Sequence, residues 1–172
     1  ENGDNAAAVA DYTAAIALQP DYAPPYNHRG VVSYVAGNYQ EAIGDYDVAI
    51  AKKTDYAAAY NNRGLAYFAL RNFDQAIANY AQAISHDPNY RDAYYNRGNA
   101  YFYRADYRNA LNDLNQTIAL DANYANAYFV RGAIAEQMGD RPAAIADYQT
   151  AATLYQEQGN PAWQQNALDR LN

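Results

Sequence analysis

The chain of 172 residues has no cysteine, one methionine, one tryptophan and six prolines, and its cations are outnumbered: 12 Lys and Arg against 19 Asp and Glu. Each scarcity removes a class of function. Without cysteine there are no disulfides, no thiolate metal sites and no thiol nucleophile, and the sequence carries no redox signature of its compartment. A net charge of −7 is the reverse of the Lys/Arg surplus that a nucleic-acid backbone requires, and it disfavours an anionic membrane for the same reason. No apolar run approaches the ~18 residues of a membrane-spanning helix. The two histidines, His28 and His86, lie in unrelated positions, and no His/carboxylate group has metal-ligand spacing, so neither metal nor cofactor is expected. Phosphate-cradling glycine loops and a G-x-S-x-G nucleophile elbow are absent too, and nothing in the sequence argues for an enzyme.

What the chain does have is alanine, 20 tyrosines and a period. Asn-His-Arg-Gly ends at Gly30, Asn-Asn-Arg-Gly at Gly64, Tyr-Asn-Arg-Gly at Gly98 and Phe-Val-Arg-Gly at Gly132, each glycine 34 residues after the last. Tyr26, Tyr60, Tyr94 and Tyr128 precede the glycines by four; Ala42, Ala76, Ala110 and Ala144 follow by twelve; Tyr46, Tyr80, Leu114 and Tyr148 follow by sixteen. Within a unit, Tyr60, Arg63, Gly64 and Tyr67 make one helical stripe, and Phe73, Ala76, Ile77, Tyr80, Ala83 and Ile84 make a second beyond a turn at Asn72. Two amphipathic helices per unit follow, touching where Gly64 and Ala76 supply the smallest side chains.

This pattern resembles the tetratricopeptide repeat family, whose 34-residue unit carries an aromatic, a glycine, an alanine, an aromatic and a closing proline. The closing proline is kept at Pro88 but replaced by Thr54, Ala122 and Gln156, and Arg stands where an aliphatic residue usually precedes the glycine. The resemblance implies an all-α fold, a right-handed superhelical solenoid of tandem helix-turn-helix repeats. The units are 23–56, 57–90, 91–124 and 125–158. Residues 1–22 match the second half of a repeat, with Gly3-Asp4 as its turn, so the chain reads as part of a longer array continuing upstream. Residues 159–172, with Trp163, Ala167 and Leu171 on one stripe, read as a capping helix over the last repeat.

Two columns carry the functional expectations. Arg29, Arg63, Arg97 and Arg131 lie on the packing face, and Asp45, Asp113 and Asp147 form the matching column of the second helices, with Asn79 as its polar exception; a structural ion-pair ladder is favoured over an anion-binding stripe. On the remaining face of the first helices stand Asn27, Asn61, Asn62, Asn96 and Asn99, with Tyr34, Phe68, Tyr95, Phe102 and Tyr103. The resemblance implies that this face lines a concave groove, where asparagine amides would hold a peptide backbone and aromatics would form side-chain pockets. The first helices offer that face no Lys or Arg beside the asparagines, which argues against capture of a chaperone's terminal carboxylate. The expected partner is a protein or peptide, with self-association through the half-repeat at residues 6–19, or service to a larger multidomain protein, as alternatives.

Overall fold

A computed structural model describes residues 2–171 and the side chains of residues 5–171. Among the described residues there are ten α-helices and no strand. They run α1 (Asn2–Leu18), α2 (Ala23–Val35), α3 (Tyr39–Lys52), α4 (Ala57–Ala69), α5 (Phe73–His86), α6 (Arg91–Tyr103), α7 (Tyr107–Leu120), α8 (Ala125–Gln137), α9 (Arg141–Glu157) and α10 (Pro161–Asp169). The chain forms two compact units, one ending at Ala93 and the other beginning at Tyr94. In the first, α2 packs on α3, α3 on α4, and α4 on α5, with α1 against α2. In the second, α7 packs on α8, α8 on α9, and α9 on α10.

The turn inside each repeat has one construction. The first helix ends on a residue with positive φ, in the order Gly37 (84°), Arg71 (59°), Ala105 (57°) and Gly139 (79°). The next residue's N–H then bonds five residues back, Asn38 to Ser33, Asn72 to Tyr67, Asp106 to Tyr101 and Asp140 to Ala135, which satisfies the terminal carbonyls of the helix. That same residue opens the second helix, where the side chains of Asn72, Asp106 and Asp140 accept from the N–H three positions on. Gly3 and Asp4, expected as an equivalent turn, lie within α1 instead. Outside Pro88, the repeat ends rely on other devices: Asp121 accepts from the N–H of Asn123 at 2.9 Å, as Asp87 does from Asn89 at 3.0 Å. With neither device α3 still ends at Lys52, whereas α9 continues to Glu157.

The repeat's small residues sit in the cores. In the first unit Ala42, Ile43, Tyr46 and Ala66 form a buried cluster; in the second, Ala110, Leu114, Ala127 and Ile134 form one, and Ala125, Ala151, Leu154, Tyr155 and Ala167 another. A Cβ on Gly98 would stand 3.3 Å from the Ala110 carbonyl oxygen, and one on Gly132 3.3 Å from that of Ala144, so those helices meet at the glycine–alanine pair. Gly64 differs. Its nearest neighbour across the hairpin is the Tyr80 ring, 2.5 Å from where a Cβ would be, so it makes room for an aromatic ahead of Ala76.

Candidate functional site

In the arginine column Arg29, Arg63 and Arg131 each clamp three helices, and Arg97 joins two. Arg29 donates through Nε and Nη2 to both oxygens of Asp45, at 2.9 and 2.7 Å, and through Nη1 to Thr13 on the preceding helix at 3.2 Å. Arg131 repeats this with Asp147 at 2.8 and 2.7 Å and with Asn115 at 2.7 Å. Arg97 holds Asp113 at 2.7 and 2.8 Å. Arg63 donates to Asn79 at 2.7 Å and to the Asp47 carboxylate. Each guanidinium also lies over the tyrosine three residues earlier, 5.3 to 5.9 Å from the ring centre. The paired carboxylates hold Arg29, Arg97 and Arg131 above the ordinary guanidinium range, chiefly through these hydrogen bonds. The backward partners Thr13, Asp47 and Asn115, all sixteen residues before their arginine, were overlooked at the sequence level, although the spacing is readable there.

In the first unit the expected groove residues are largely occupied with each other. Asn27 and Asn61, at 5% and 4% exposure, are buried and not presented to solvent. The Asn62 amide donates to Asn27 Oδ1 at 3.0 Å, linking α4 to α2. Asn27 turns toward the following repeat, where the Asn62 amide bonds to it, which meets the requirement that buried amides be paired. Tyr34 and Phe68 are half-buried, their rings 5.4 Å from those of Tyr39 and Phe73. Asp11, upstream in the aspartate column, is exposed.

The second unit contains an open cleft of about 270 Å³. From α6 come Tyr95, Asn99, Phe102 and Tyr103; from α8 Asn126, Phe129, Val130 and Ala133; from α9 Tyr155; and from α10 Trp163 and Arg170 just beyond its end. Asn96, next to Tyr95 on α6, is half-buried and does not line it. Four of the expected residues are thus brought together here: Tyr95, Asn99, Phe102 and Tyr103. The walls are aromatic. The Trp163 ring meets Phe129 edge-on at 5.8 Å and stacks on Tyr155 at 6.0 Å, while Phe102 packs against Tyr103 at 5.7 Å and Tyr107 at 6.1 Å. Burial pushes the Tyr95 hydroxyl up to about 12.

Tyr155, Trp163 and Arg170 lie outside the first helices, and Asn126, on α8, stands outside the columns singled out there. Arg170 also amends the expectation of a face without cations, since it lines the cleft from the chain's last turn. It contacts the Glu136 carboxylate at 3.4 Å. Trp163 and Leu168 remain 45% and 38% exposed, so α10 covers the last repeat through Ala167 more than through its large side chains. Among the described residues no cluster of His, Cys, Asp or Glu could hold a metal ion, and no helix is long and apolar enough to cross a membrane.

Models of the tetratricopeptide repeat match residues 57–90, 1–59 and 125–158, and a TPR repeat model matches residues 98–139. No curated protein matches the chain in sequence. Among solved structures, a crystal structure of MamA is similar over 92% of this chain and 92% of its own, at 24% identity and a TM-score of 0.83. YrrB, described as a TPR protein with an unusual peptide-binding site, is similar over 93% and 90%, at 20% identity and a TM-score of 0.73. The first TPR of Spaghetti (RPAP3), bound to the HSP90 peptide SRMEEVD, is similar over 68% and 93%, at 26% identity and a TM-score of 0.67. With its 34-residue period, its chain of helical hairpins and matching models along its length, the chain belongs to the tetratricopeptide repeat family.

Proposed function

We propose that the chain is a protein-interaction scaffold with no chemistry of its own, and that it holds an extended segment of a partner protein in the cleft of its second unit. The observation that carries this is the cleft: aromatic walls from α6, α8, α9 and α10 around polar groups at Asn99, Asn126 and Arg170. Large rings supply most of the energy of such contacts, and a few polar groups fix the register. Peptide binding described for YrrB and for the first TPR of RPAP3 supports the same reading.

A random peptide display selected on the wild-type protein, and counter-selected on Phe102→Ala and Tyr103→Ala, tests this. Enriched peptides should bind the variants about 10-fold more weakly, the loss expected when a hot-spot ring is truncated. Peptides that bind Phe68→Ala poorly and both of these variants normally would move the site to the first unit. No enrichment at all would remove the reading.

Self-association is kept as a second reading because Leu18, at the end of α1, is 84% exposed. Light scattering across a concentration series distinguishes it, and a mass that stays monomeric excludes it.

A further inference from the structure

The polar groups lining the second unit's cleft are mostly donors. Tyr155 donates its hydroxyl to Asn126 Oδ1 at 2.5 Å, which occupies that oxygen and leaves the amide its two N–H groups to offer. The indole of Trp163 has an N–H and no acceptor, and the Arg170 guanidinium has five N–H groups and none. Among the described residues Arg170 is the one charged side chain lining the cleft, and no carboxylate lines it, in a chain whose net charge is −7. Its contact with Glu136 is long, at 3.4 Å, and its side chain is half exposed. Asn99 adds a carbonyl beside its own amide N–H groups, and the hydroxyls of Tyr95 and Tyr103 can each donate or accept, so the donors of the lining outnumber its acceptors.

This balance of donors and acceptors discriminates between backbones. An ordinary extended peptide presents an N–H for every carbonyl, and each N–H enclosed against donors loses its water without gaining a partner. Proline has no N–H. A proline-rich segment in the polyproline II form presents carbonyls to the donors and lays its rings on aromatic faces, and it is already extended before it binds. We propose that this cleft takes a proline-rich segment of a partner protein, with a carboxylate of that segment beside Arg170. The proposal rests on the peptide-binding reading above and names its class.

Charge complementarity fixes the acidic flank. Arg170 is loosely held and half exposed, so a partner carboxylate can take over its N–H groups at little cost, while a cationic flank would meet like charge. The flat walls, Phe102, Tyr103, Phe129 and Trp163, are the surfaces on which pyrrolidine rings would rest.

Trp163 is the only tryptophan, so its emission reports on the cleft directly. Three synthetic peptides serve as probes: a run of about ten prolines preceded by Glu, the same run preceded by Lys, and an Ala/Ser run of equal length preceded by Glu, matched to the length that polyproline II geometry needs to span such a cleft. Saturable emission changes and calorimetric heats should favour the Glu–proline peptide over the Ala/Ser peptide by about 10-fold, the scale of a lost hot spot. Tyr103→Ala should weaken that binding by a similar factor; Tyr103 is 54% exposed, and circular dichroism melting verifies that the fold is retained. Arg170→Gln should abolish the preference for Glu over Lys at low salt, and added salt should do so in the wild type. Equal binding of the Ala/Ser peptide would overturn the proline class and leave the peptide-binding reading standing. Absence of saturation with every probe would overturn the proposal, while the display selection judges the broader reading on its own.

Discussion

Tyr148 donates its hydroxyl to Glu136 at 2.8 Å, whereas the equivalent hydroxyl of Tyr80, two repeats earlier, is buried with no hydrogen-bond partner among the described residues. The difference lies twelve residues upstream: the position of Glu136 is occupied by Phe68 in the second repeat and by Phe102 in the third. The third repeat resolves the conflict by carrying Leu114 in the tyrosine column. The second does not. Tyr80→Phe should therefore raise stability by about 1 kcal/mol, and Tyr148→Phe should lower it by a similar amount. Urea midpoints at unchanged slope would measure both, and a destabilised Tyr80→Phe would show that its hydroxyl has a partner after all.

Two glycines in helices should respond in opposite directions to alanine. A Cβ on Gly64 would stand 2.5 Å from Tyr80 Cε1, whereas one on Gly44, within α3, would meet nothing within 4 Å. Gly64→Ala should cost roughly 1–3 kcal/mol through overpacking. Gly44→Ala should gain about 1 kcal/mol from helix propensity alone. Thermal melts of the pair decide whether the contact or the propensity governs.

The mid-repeat turn offers a third test. Ala105 and Arg71 hold positive φ where the first and fourth repeats have Gly37 and Gly139. Ala105→Gly should stabilise by about 0.5–1 kcal/mol, because relief of the left-handed strain outweighs the greater chain entropy of glycine. A loss of stability would mean that the Ala105 backbone carries no strain.

Arg97→Ala should strand the carboxylate of Asp113, which is among the buried residues, and cost roughly 3 kcal/mol. Arg97→Lys should recover only part of this, since a lysine cannot donate to both oxygens in fixed geometry. Chemical denaturation measures the two variants. Retained stability with lost binding of an anion would convert the ladder into a ligand site.

Alkaline pH should unfold the chain abruptly. Burial raises Tyr95 to about 12 and carries Tyr46, Tyr80, Tyr148 and Tyr155 higher. The native state then keeps protons that the unfolded chain releases near pH ~10, so stability is whole below that value and falls as pH climbs toward the folded values. Tyrosinate absorbance should rise in step with the loss of helical circular dichroism. Complete ionisation of all 20 tyrosines with the helices intact would contradict this.

Repeated residues made the fold legible. Gly30 to Gly132 and Ala42 to Ala144 mark helix faces that local spacing alone defines, and the all-α class and the family follow from them. The site was less accessible, for three separate reasons. Whether Asn27 faces solvent depends on what the next repeat brings beside it, here Asn62, and no single helix encodes that. Arg170 and Trp163 stand outside the period, so no column pointed to them, yet they complete the cleft that Tyr95, Asn99, Phe102 and Tyr103 begin. The second bonds of Arg29, Arg63 and Arg131 run backward across a repeat boundary, outside the hairpin in which their aspartate or asparagine partners lie.

Those backward bonds have a mechanical consequence in the first unit. Arg29 ties α2 to both α1 and α3, and Arg63 ties α4 to both α3 and α5, so α3 is gripped through Asp45 from one side and Asp47 from the other. Detaching either flanking helix leaves a guanidinium without its acceptors. The hairpins of this unit therefore share one opening transition, and the amide protons of α3 should exchange with solvent no faster than those of the helices it joins.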